Sequence, residues 1–280
     1  YRFSQIQTLF TAPGRVHYQT YITKYRHYSF TITQDVGRHI CEAVSPGFPF
    51  IGDADDGYGN AMNAKRTVRG YALAGFAGLL MEDQVAPKAC GHTRNRRVLP
   101  RADAVARVKA ACDERDEGRG GDLVIFARSD ARSAESLEEA LWRVQAFADA
   151  GADALFIDAL RSREEMEAFC KVAPGVPKMA NMLEGGGSTP ICTPKELEDM
   201  GFKVVAYPLS LLACTVRAME NTLREIRDDI YGWCMENGAH LSKSATRRTS
   251  RDPWRTTARR GWGGLGVTRK LREQTVDLAE

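Results

Sequence analysis

Short apolar runs alternate with segments of helical periodicity along most of this chain. Segments whose apolar residues recur at helical spacing lie near 33–43, 63–74, 101–112, 136–150, 162–172, 194–200 and 209–229. Continuous apolar runs, typical of strands buried on both faces, occur at 48–52, 76–81, 122–127, 153–157, 176–180 and 202–206. Strands and helices in alternation predict an α/β fold, with a parallel sheet and the helices outside it.

Residues at the predicted helix ends support these boundaries. Ser136 precedes Leu137-Glu138-Glu139, and Thr193-Pro194 opens the helix that carries Glu196; both are typical N-terminal caps. Glycines mark the points where a helix ends and the next strand begins, at Gly75, Gly151 and Gly201. The caps and the apolar pattern therefore agree on the order of the elements.

Polar side chains collect where the predicted strands end. In parallel α/β folds, and most of all in the (β/α)₈ barrel, functional groups lie at the carboxyl ends of the strands. The sequence therefore predicts a functional site at this edge of the sheet. The residues concerned are Asp53 and Asp55, Glu82 and Asp83, Arg128 and Asp130, Asp158, and Asn181 and Glu184.

The stretch 48–60 reads FPFIGDADDGYGN and brings Asp53, Asp55 and Asp56 together directly after a strand. Carboxylates crowded at such a point repel one another, and a bound cation relieves the repulsion. Their hard oxygen atoms favour Mg²⁺ or Mn²⁺ over zinc. An alternative stays open at this point, since Asp and Asn residues before a helix also serve as helix caps.

The loop 82–92 reads EDQVAPKACGH and places Cys90 between Lys88 and His92. Cationic neighbours favour the thiolate form of a cysteine and easy proton exchange. A buried structural thiol is the alternative, but a polar loop bounded by proline and glycine argues against it. A packing role is predicted instead for three cysteines in helical segments, Cys112, Cys170 and Cys214.

Composition narrows the class of protein. A chain of 280 residues fits one barrel domain as well as two small domains, and its 43% hydrophobic and 27% charged residues are ordinary for a soluble globular protein. A net charge of +3 is too small to indicate nucleic-acid binding, and no apolar run approaches the roughly 20 residues of a membrane span. Seven cysteines without a CxxC pair indicate a reducing compartment.

The two ends of the chain lack a regular pattern. We therefore expect an irregular N-terminal segment over 1–30, a barrel domain over 31–232 and a flexible basic tail over 233–280. The tail contains Trp254 and Trp262 among Arg and Lys residues, a combination that could also bind RNA or an anionic surface.

Five motifs, taken in order, resemble the isocitrate lyase/phosphoenolpyruvate mutase superfamily. They are DADDGYGN (53–60), EDQVAPKACGH (82–92), ARSDA (127–131), NMLEGGGSTP (181–190) and YPLS (207–210). The resemblance implies a (β/α)₈ TIM-type barrel and a homo-oligomer, a dimer or tetramer, in which the last helix is exchanged between subunits. Because six strands are predicted from Phe48 onward, the N-terminal strands of this barrel are expected to be lacking or degenerate.

The resemblance also implies the roles of individual residues. Asp53, Asp55 and Glu82 would hold Mg²⁺, with Mn²⁺ as the alternative ion, partly through water. The other implied roles are catalytic for Lys88, Cys90 and His92 on one loop, charge neutralisation on the substrate for Arg128, and substrate binding for Asp158, Asn181, Glu184 and Thr189. The thiol of Cys90 would be the proton donor.

These roles imply a Mg²⁺-dependent lyase for carbon–carbon bonds. Its substrate would be a small 2-hydroxy di- or tricarboxylate, of the substituted malate or methylisocitrate type, cleaved to a 2-oxo acid and a carboxylate in the cytoplasm or a plastid. Two alternatives stay open. One is a phosphonomutase of the carboxyvinyl-carboxyphosphonate phosphorylmutase type, and the other is an inactive truncated barrel that binds partners.

Overall fold

The computed structural model describes residues 7–9, 30–43, 49–86, 96–185 and 187–247, with backbone alone for 7–9 and for 229–247. The chain divides into two compact units, Tyr1–Cys214 and Thr215–Glu280. The first unit contains the sheet and every strand-end residue predicted to form the site.

A parallel sheet of seven strands organises the first unit. The strands are β1 (Gln7–Leu9), β2 (Ile51–Asp53), β3 (Gly78–Glu82), β4 (Val124–Ser129), β5 (Ala154–Ile157), β6 (Lys178–Asn181) and β7 (Val204–Ala206). They are hydrogen-bonded in the order β1-β7-β6-β5-β4-β3-β2. β1 pairs with β7, as the first and last strands of a closed barrel do. Among the described strands, β1 and β2 are not paired, so the sheet stays open between them. The fold is a partial (β/α) barrel of the TIM type.

All six strands predicted from Phe48 onward are present. The seventh strand, β1, is not predicted, since no element is expected within 1–30. A strand of three residues is too short to show the alternation by which strands are recognised. Its register places Thr8 opposite Val205, so this segment supplies one of the two strands that an eight-stranded barrel requires beyond the predicted six.

Helices follow the strands, as the sequence predicts. They are α1 (Phe30–Ala43), α2 (Ala61–Leu73), α3 (Arg101–Asp116), α4 (Ala131–Ala134), α5 (Leu137–Asp149), α6 (Arg163–Lys171), α7 (Pro194–Met200) and α8 (Ser210–Arg247). The predicted caps are confirmed: the Ser136 hydroxyl accepts a hydrogen bond from the backbone of Glu139 at 3.1 Å, and Thr193 and Glu196 form a capping box. Gly201 ends α7 with a φ of 110°, a left-handed conformation that favours glycine.

The helix α8 is longer than its predicted end near residue 229. It continues through Gly232 and Gly238 to Arg247. A single glycine inside a helix costs only about 1 kcal/mol, and the sequence has no proline between Pro208 and Pro253 that would end the helix. Among the described helices, none combines the length and the apolar character that crossing a membrane requires.

The two faces of the sheet carry different side chains. On the outer face, strand residues such as Leu79 and Ile125 pack with helix residues such as Val68 and Phe147 in the main core. On the inner face lies a smaller buried cluster of Leu80, Phe126, Ala154, Phe156, Met179, Val204 and Ala206, with Ile51 packed against it. Because side chains alternate along a strand, a residue two positions beyond a member of this cluster points to the same inner face.

Candidate active site at the carboxyl edge of the sheet

Five predicted site residues meet this alternation rule. Each follows an inner-face residue by two positions and lies within one residue of the end of its strand. The pairs are Ile51 and Asp53, Leu80 and Glu82, Phe126 and Arg128, Phe156 and Asp158, and Met179 and Asn181. The apolar cluster therefore forms the floor beneath a ring of acid, base and amide side chains at the carboxyl edge of the sheet.

Arg128 is the centre of the contacts at this edge. Its Nε and Nη2 atoms donate to the two carboxylate oxygens of Asp130 at 3.0 and 2.8 Å. Nη2 also donates to Asp158 at 3.0 Å, and Nε lies 3.3 Å from a carboxylate oxygen of Glu82. The guanidinium lies 5.3 Å from the ring centre of Phe156, a residue of the apolar floor. Three strand ends are thus joined by one buried cation.

A second arginine, Arg96, joins the same acids. Its Nη1 atom lies 2.5 Å from an oxygen of Asp130 and 2.9 Å from an oxygen of Asp158. Arg96 is not among the predicted site residues, because the segment RNRR at 94–97 gives no sign of which of its three arginines is buried; Arg97, its neighbour, is exposed. We call Glu82, Arg96, Arg128, Asp130 and Asp158 the arginine cluster.

Burial sets the protonation behaviour of this cluster. It raises the pKa of Asp130 to about 6, the charges of Glu82 and Asp158 act in the same direction, and Arg128 opposes them. Burial lowers the pKa of Arg128, but the charges of Asp130, Asp158 and Glu82 outweigh it and hold that pKa well above its ordinary value. The guanidinium is therefore a permanent positive charge at this edge.

Asp83 supports the arginine cluster from behind. Its carboxylate accepts hydrogen bonds from the Ser129 hydroxyl at 2.8 Å, from the Asp130 backbone at 2.8 Å and from Arg143 at 3.2 Å. Burial raises the pKa of Asp83, and these hydrogen bonds act against that rise. Arg143 also donates to the Leu99 carbonyl at 2.8 Å. Asp83 is thus a scaffold residue that fixes the backbone of Asp130.

A pair of backbone hydrogen bonds anchors the two ends of the loop that carries Cys90. The Val85 amide donates to the Arg97 carbonyl at 3.0 Å, and the Leu99 amide donates to the Asp83 carbonyl at 2.9 Å. The chain therefore leaves and re-enters beside the arginine cluster. Residues 87–95 lie outside the described residues, so the predicted catalytic roles of Lys88, Cys90 and His92 stay predictions.

Residues 53–60, which we call the aspartate turn, are fixed mainly by backbone contacts. The Ala54 amide donates to the Leu80 carbonyl at 2.8 Å, and the Glu82 amide donates to the Asp55 carbonyl at 2.7 Å. The Tyr71 hydroxyl donates to the Asp53 carbonyl at 2.8 Å. Asp55 has a φ of 47°, which non-glycine residues rarely adopt. Such backbone strain collects at functional sites, where surrounding contacts maintain it.

The helix-capping alternative for this turn is correct for one residue. Asn60 caps α2, accepting from the backbone amides of Met62 and Asn63, and the Asn63 side chain completes a capping box. Asp53 and Asp55 are not needed for this purpose. They remain as carboxylates at the strand end, with the Asp53 side chain accepting from the Asp55 amide at 3.1 Å.

The donor atoms at this edge suit a hard divalent cation. Among the described residues, no three His, Cys, Asp or Glu side chains are grouped closely enough to hold a metal ion on their own. Asp53, Asp55 and Glu82 nevertheless offer carboxylates on adjoining strand ends, and the buried amide oxygens of Gln84 and Asn181 make no hydrogen bond among the described residues. Oxygen donors of this kind fit Mg²⁺ that keeps several of its waters.

Glu184 and Thr189 lie on the segment after β6. The Glu184 carboxylate accepts hydrogen bonds from the Leu209 amide at 3.0 Å and from the Ser210 hydroxyl. Burial raises the pKa of Glu184, and these hydrogen bonds outweigh it, so that the pKa is lowered. The side chain therefore fixes the start of α8. Thr189 is half-buried, and the predicted substrate-binding roles of both residues stay predictions.

The fold and this edge define the class: a TIM-type barrel with acids and an arginine at its strand ends. The sequence model of a family described as "Phosphoenolpyruvate phosphomutase" matches residues 23–227. This chain belongs to that family, within the isocitrate lyase/phosphoenolpyruvate mutase superfamily, as the motifs predict.

Curated relatives agree with this assignment. The chain is 41% identical over 215 residues to the chloroplastic carboxyvinyl-carboxyphosphonate phosphorylmutase of Arabidopsis thaliana, which covers 75% of this chain and 59% of that protein. It is 40% identical over 199 residues to the 2,3-dimethylmalate lyase of Eubacterium barkeri, covering 71% of this chain and 67% of that protein. The chain thus spans about six tenths of the first relative and two thirds of the second.

Solved structures confirm the barrel. A crystal structure of 2,3-dimethylmalate lyase aligns with a TM-score of 0.69 and 28% identity, covering 86% of this chain and 80% of that chain. Oxaloacetate acetylhydrolase in complex with the inhibitor 3,3-difluorooxalacetate aligns with a TM-score of 0.68 and 28% identity, covering 79% and 78%.

Proposed function

We propose that this chain is a divalent-metal-dependent lyase that cleaves a carbon–carbon bond in a small 2-hydroxy di- or tricarboxylate. The observation that carries the proposal is the buried guanidinium of Arg128, which lies on the same face as Asp53 and Glu82. A fixed cation beside hard oxygen donors suits a substrate whose carboxylates must be both neutralised and oriented. The names of two relatives, 2,3-dimethylmalate lyase and the 2-methylisocitrate lyase of Aeropyrum pernix, support this class of reaction.

In this proposal, Arg128 pairs with a substrate carboxylate. Asp158 is the most exposed acid of the arginine cluster, with a side chain 12% accessible, and it faces the substrate. The Asn181 amide, whose oxygen makes no hydrogen bond among the described residues, accepts from the substrate. Glu184 and Thr189 complete the polar surroundings on the next segment.

Asp53, Asp55 and Glu82 would hold Mg²⁺, or Mn²⁺, directly or through water. The ion, when bound, would polarise the substrate and ease loss of its hydroxyl proton. The described contacts help to orient these carboxylates. The Glu82 amide donates to the Asp55 carbonyl at 2.7 Å, and this hydrogen bond joins the ends of β2 and β3.

The bond that breaks is the one between C2 and C3 of the substrate. As the hydroxyl proton passes to a water molecule, the oxygen electron pair forms the carbonyl of the 2-oxo acid and the bonding pair moves to C3; a proton from the solvent later restores the thiol of Cys90. Cys90 gives its thiol proton to that carbon, which yields the second carboxylate product and a thiolate. Lys88 and His92 would stabilise the thiolate until it is protonated again.

A panel of substituted malates and 2-methylisocitrate tests this proposal. We expect release of a 2-oxo acid from at least one compound, and loss of that release when EDTA is added. Cys90→Ala should abolish turnover. Cys214, for which the sequence predicts a packing role, is instead an exposed thiol, so Cys214→Ala is the matched control and should leave turnover unchanged. Unchanged turnover in Cys90→Ala would exclude the assigned proton donor.

A phosphonomutase is the second candidate, because the matching family description and the relative at 41% identity both carry that chemistry in their names. The reaction moves phosphorus between oxygen and carbon and needs no thiol acid. Incubation with phosphonopyruvate followed by ³¹P NMR distinguishes the two, since only a mutase changes the phosphonate signal to that of a phosphate ester.

We also propose that the chain forms a homo-oligomer, a dimer or tetramer, through α8. Val216, Met219 and Leu223 are spaced for one face of this helix and are 45%, 61% and 66% exposed. Introducing two negative charges, with Met219→Glu and Leu223→Glu together, should lower the mass of the particle measured by light scattering.

Five described cysteines are unpaired thiols, which supports a reducing compartment, the cytoplasm or a plastid.

A further inference from the structure

Both arginines of the arginine cluster reach the same two acids. Arg96 lies 2.5 and 2.9 Å from oxygens of Asp130 and Asp158, and Arg128 lies 2.8 and 3.0 Å from the same two oxygens. Two guanidinium groups and two carboxylates therefore form a closed ring of ion pairs. Arg128 alone already contacts both acids, so the presence of a second arginine at the same two oxygens requires an explanation.

Depth distinguishes the two arginines. The Arg96 side chain is 2% exposed and Asp130 is fully buried, whereas Arg128 is 7% and Asp158 is 12% exposed. Arg128 also stands at a strand end above the apolar floor, where the proposed substrate would bind. The side chains of Arg128 and Asp158 are thus the more exposed members of the ring, and we expect a substrate to meet them first.

We propose that Arg96 is a positioning residue, which holds Asp130 and Asp158 in place while Arg128 turns to a substrate carboxylate. The inference rests on the proposed role of Arg128. Bidentate pairing with a carboxylate uses two nitrogens of a guanidinium. The described contacts of Arg128 already use Nε and Nη2, so Nη2 must leave an acid when the substrate binds.

Charge gives the second reason. Glu82, Asp130 and Asp158 contribute three negative charges, and the two arginines contribute two positive charges. Without Arg96 the excess negative charge would double, at the position where an anionic substrate arrives. An acid released by Arg128 would also be left buried without a counter-charge, which is strongly unfavourable.

Malonate, a dicarboxylate without a hydroxyl group, is a suitable probe. Isothermal titration calorimetry with Mg²⁺ present gives its Kd for the wild type, Arg96→Met and Arg96→Lys. We expect Arg96→Met to weaken binding about tenfold or more, because it removes the charge and keeps an unbranched side chain. A single nitrogen of Arg96 makes both contacts, so a lysine ammonium should restore binding to within about threefold of the wild type. Arg97→Met, at the exposed neighbour, is the matched control and should bind as the wild type does.

If Arg96 only fills space, Arg96→Met and Arg96→Lys should have the same Kd for malonate. Equal Kd values for the wild type and a folded Arg96→Met would therefore overturn the inference while leaving the proposed lyase intact. A wild type that does not bind malonate would overturn both. If Arg96→Met fails to fold, the charge-balanced double variant Arg96→Met with Asp130→Asn replaces it; there we expect at least about threefold weaker binding, and an unchanged Kd would reject the role.

In kinetic measurements on a substrate that the wild type cleaves, Arg96→Met should raise KM by a larger factor than it lowers kcat. That pattern follows from a defect in substrate binding. A loss confined to kcat would contradict the positioning role, since Arg128 would then bind the substrate normally without Arg96.

Discussion

The arginine cluster and the aspartate turn present carboxylates at the same edge of the sheet, but different forces hold them. In the arginine cluster, Asp130 and Asp158 are fixed by two guanidinium groups at 2.5 to 3.0 Å. In the aspartate turn, Asp53 and Asp55 are fixed by backbone hydrogen bonds and by the Tyr71 hydroxyl. One region depends on side-chain charge, and the other on backbone geometry.

The difference suits the two proposed tasks. Arginines that neutralise buried acids can release a carboxylate of the protein and pair with a carboxylate of the substrate. Binding of an anionic substrate requires this exchange. A turn held by its backbone keeps its carboxylate oxygens available to a cation and its waters. The comparison predicts that charge substitutions damage the first region most, whereas the second is sensitive to backbone strain and to loss of one hydroxyl.

The largest effect is expected for Arg128→Met. It leaves Glu82, Asp130 and Asp158 with one guanidinium, and breaking a buried ion pair from one side costs about 3–5 kcal/mol. We also expect kcat/KM to fall by roughly 10² to 10³, the size found when a single charge-stabilising donor is removed. Urea unfolding and steady-state kinetics measure both losses. Arg163→Met removes an ion pair that is about half exposed and should cost less than about 1 kcal/mol; comparable losses in the two variants would contradict the central role of Arg128.

A smaller effect is expected when the aspartate turn loses one charge. Asp55→Asn keeps a residue that tolerates a φ of 47°, so stability should stay within about 0.5 kcal/mol of the wild type. The Mg²⁺ concentration needed for half-maximal activity should rise about 10- to 100-fold. Asp55→Ala should show the same metal defect and lose about 1 kcal/mol more, because alanine is strained at this φ. An unchanged Mg²⁺ requirement in both variants would remove Asp55 from the proposed metal site.

The pH dependence of the arginine cluster provides a test of moderate size. The pKa of Asp130 is raised to about 6 by burial, so below that pH its carboxyl becomes neutral and its pairing with both arginines weakens. We expect kcat/KM to decrease by about tenfold per pH unit there. Stability has the opposite sign: the folded chain binds this proton more tightly than the unfolded chain, so the contribution of Asp130 to the free energy of unfolding decreases as pH rises from about 4 to about 6.

Asp130→Asn tests whether Asp130 causes the pH dependence of kcat/KM and of the unfolding free energy, because the asparagine side chain has no carboxyl proton to lose. The activity limb near pH 6 should disappear, at a lower overall activity. The difference in unfolding free energy between the variant and the wild type should also change over the same pH range. An acid limb that stays near pH 6 in Asp130→Asn would assign it to another group.

The smallest effect on activity is expected for Tyr71→Phe, which acts on stability. This substitution removes the hydroxyl that donates to the Asp53 carbonyl at 2.8 Å and contacts the Tyr58 hydroxyl at 2.9 Å. Loss of such a buried hydrogen bond costs about 1–3 kcal/mol when a partner is left unsatisfied. Tyr58→Phe, whose hydroxyl is 3.5 Å from the same carbonyl, should cost less. Urea unfolding of both variants makes the comparison, and a larger loss in Tyr58→Phe would contradict the role given to Tyr71.

The sequence predicts those site residues that lie at the ends of predicted strands. Alternation along each strand places Asp53, Glu82 and Arg128 on one face, and the parallel arrangement brings their ends to one edge. Arg96 could not be found in this way. It lies outside any regular element, and Arg94 and Arg97 nearby are equally basic, so only the position of Asp130 and Asp158 in space distinguishes it from Arg97.

Local sequence patterns suffice to predict the class of fold, the order of the six strands from Phe48 onward and the edge at which polar groups meet. These are consequences of local patterns, in which apolar period, caps and glycines act within a few residues. Three features are visible only in the folded chain: which arginine is buried, the hydrogen bond from Tyr71 to the Asp53 carbonyl, and the pairing of Gln7–Leu9 with Val204–Ala206. Each of these depends on contacts between residues far apart in the chain, where burial and charge, rather than local propensity, select the partner.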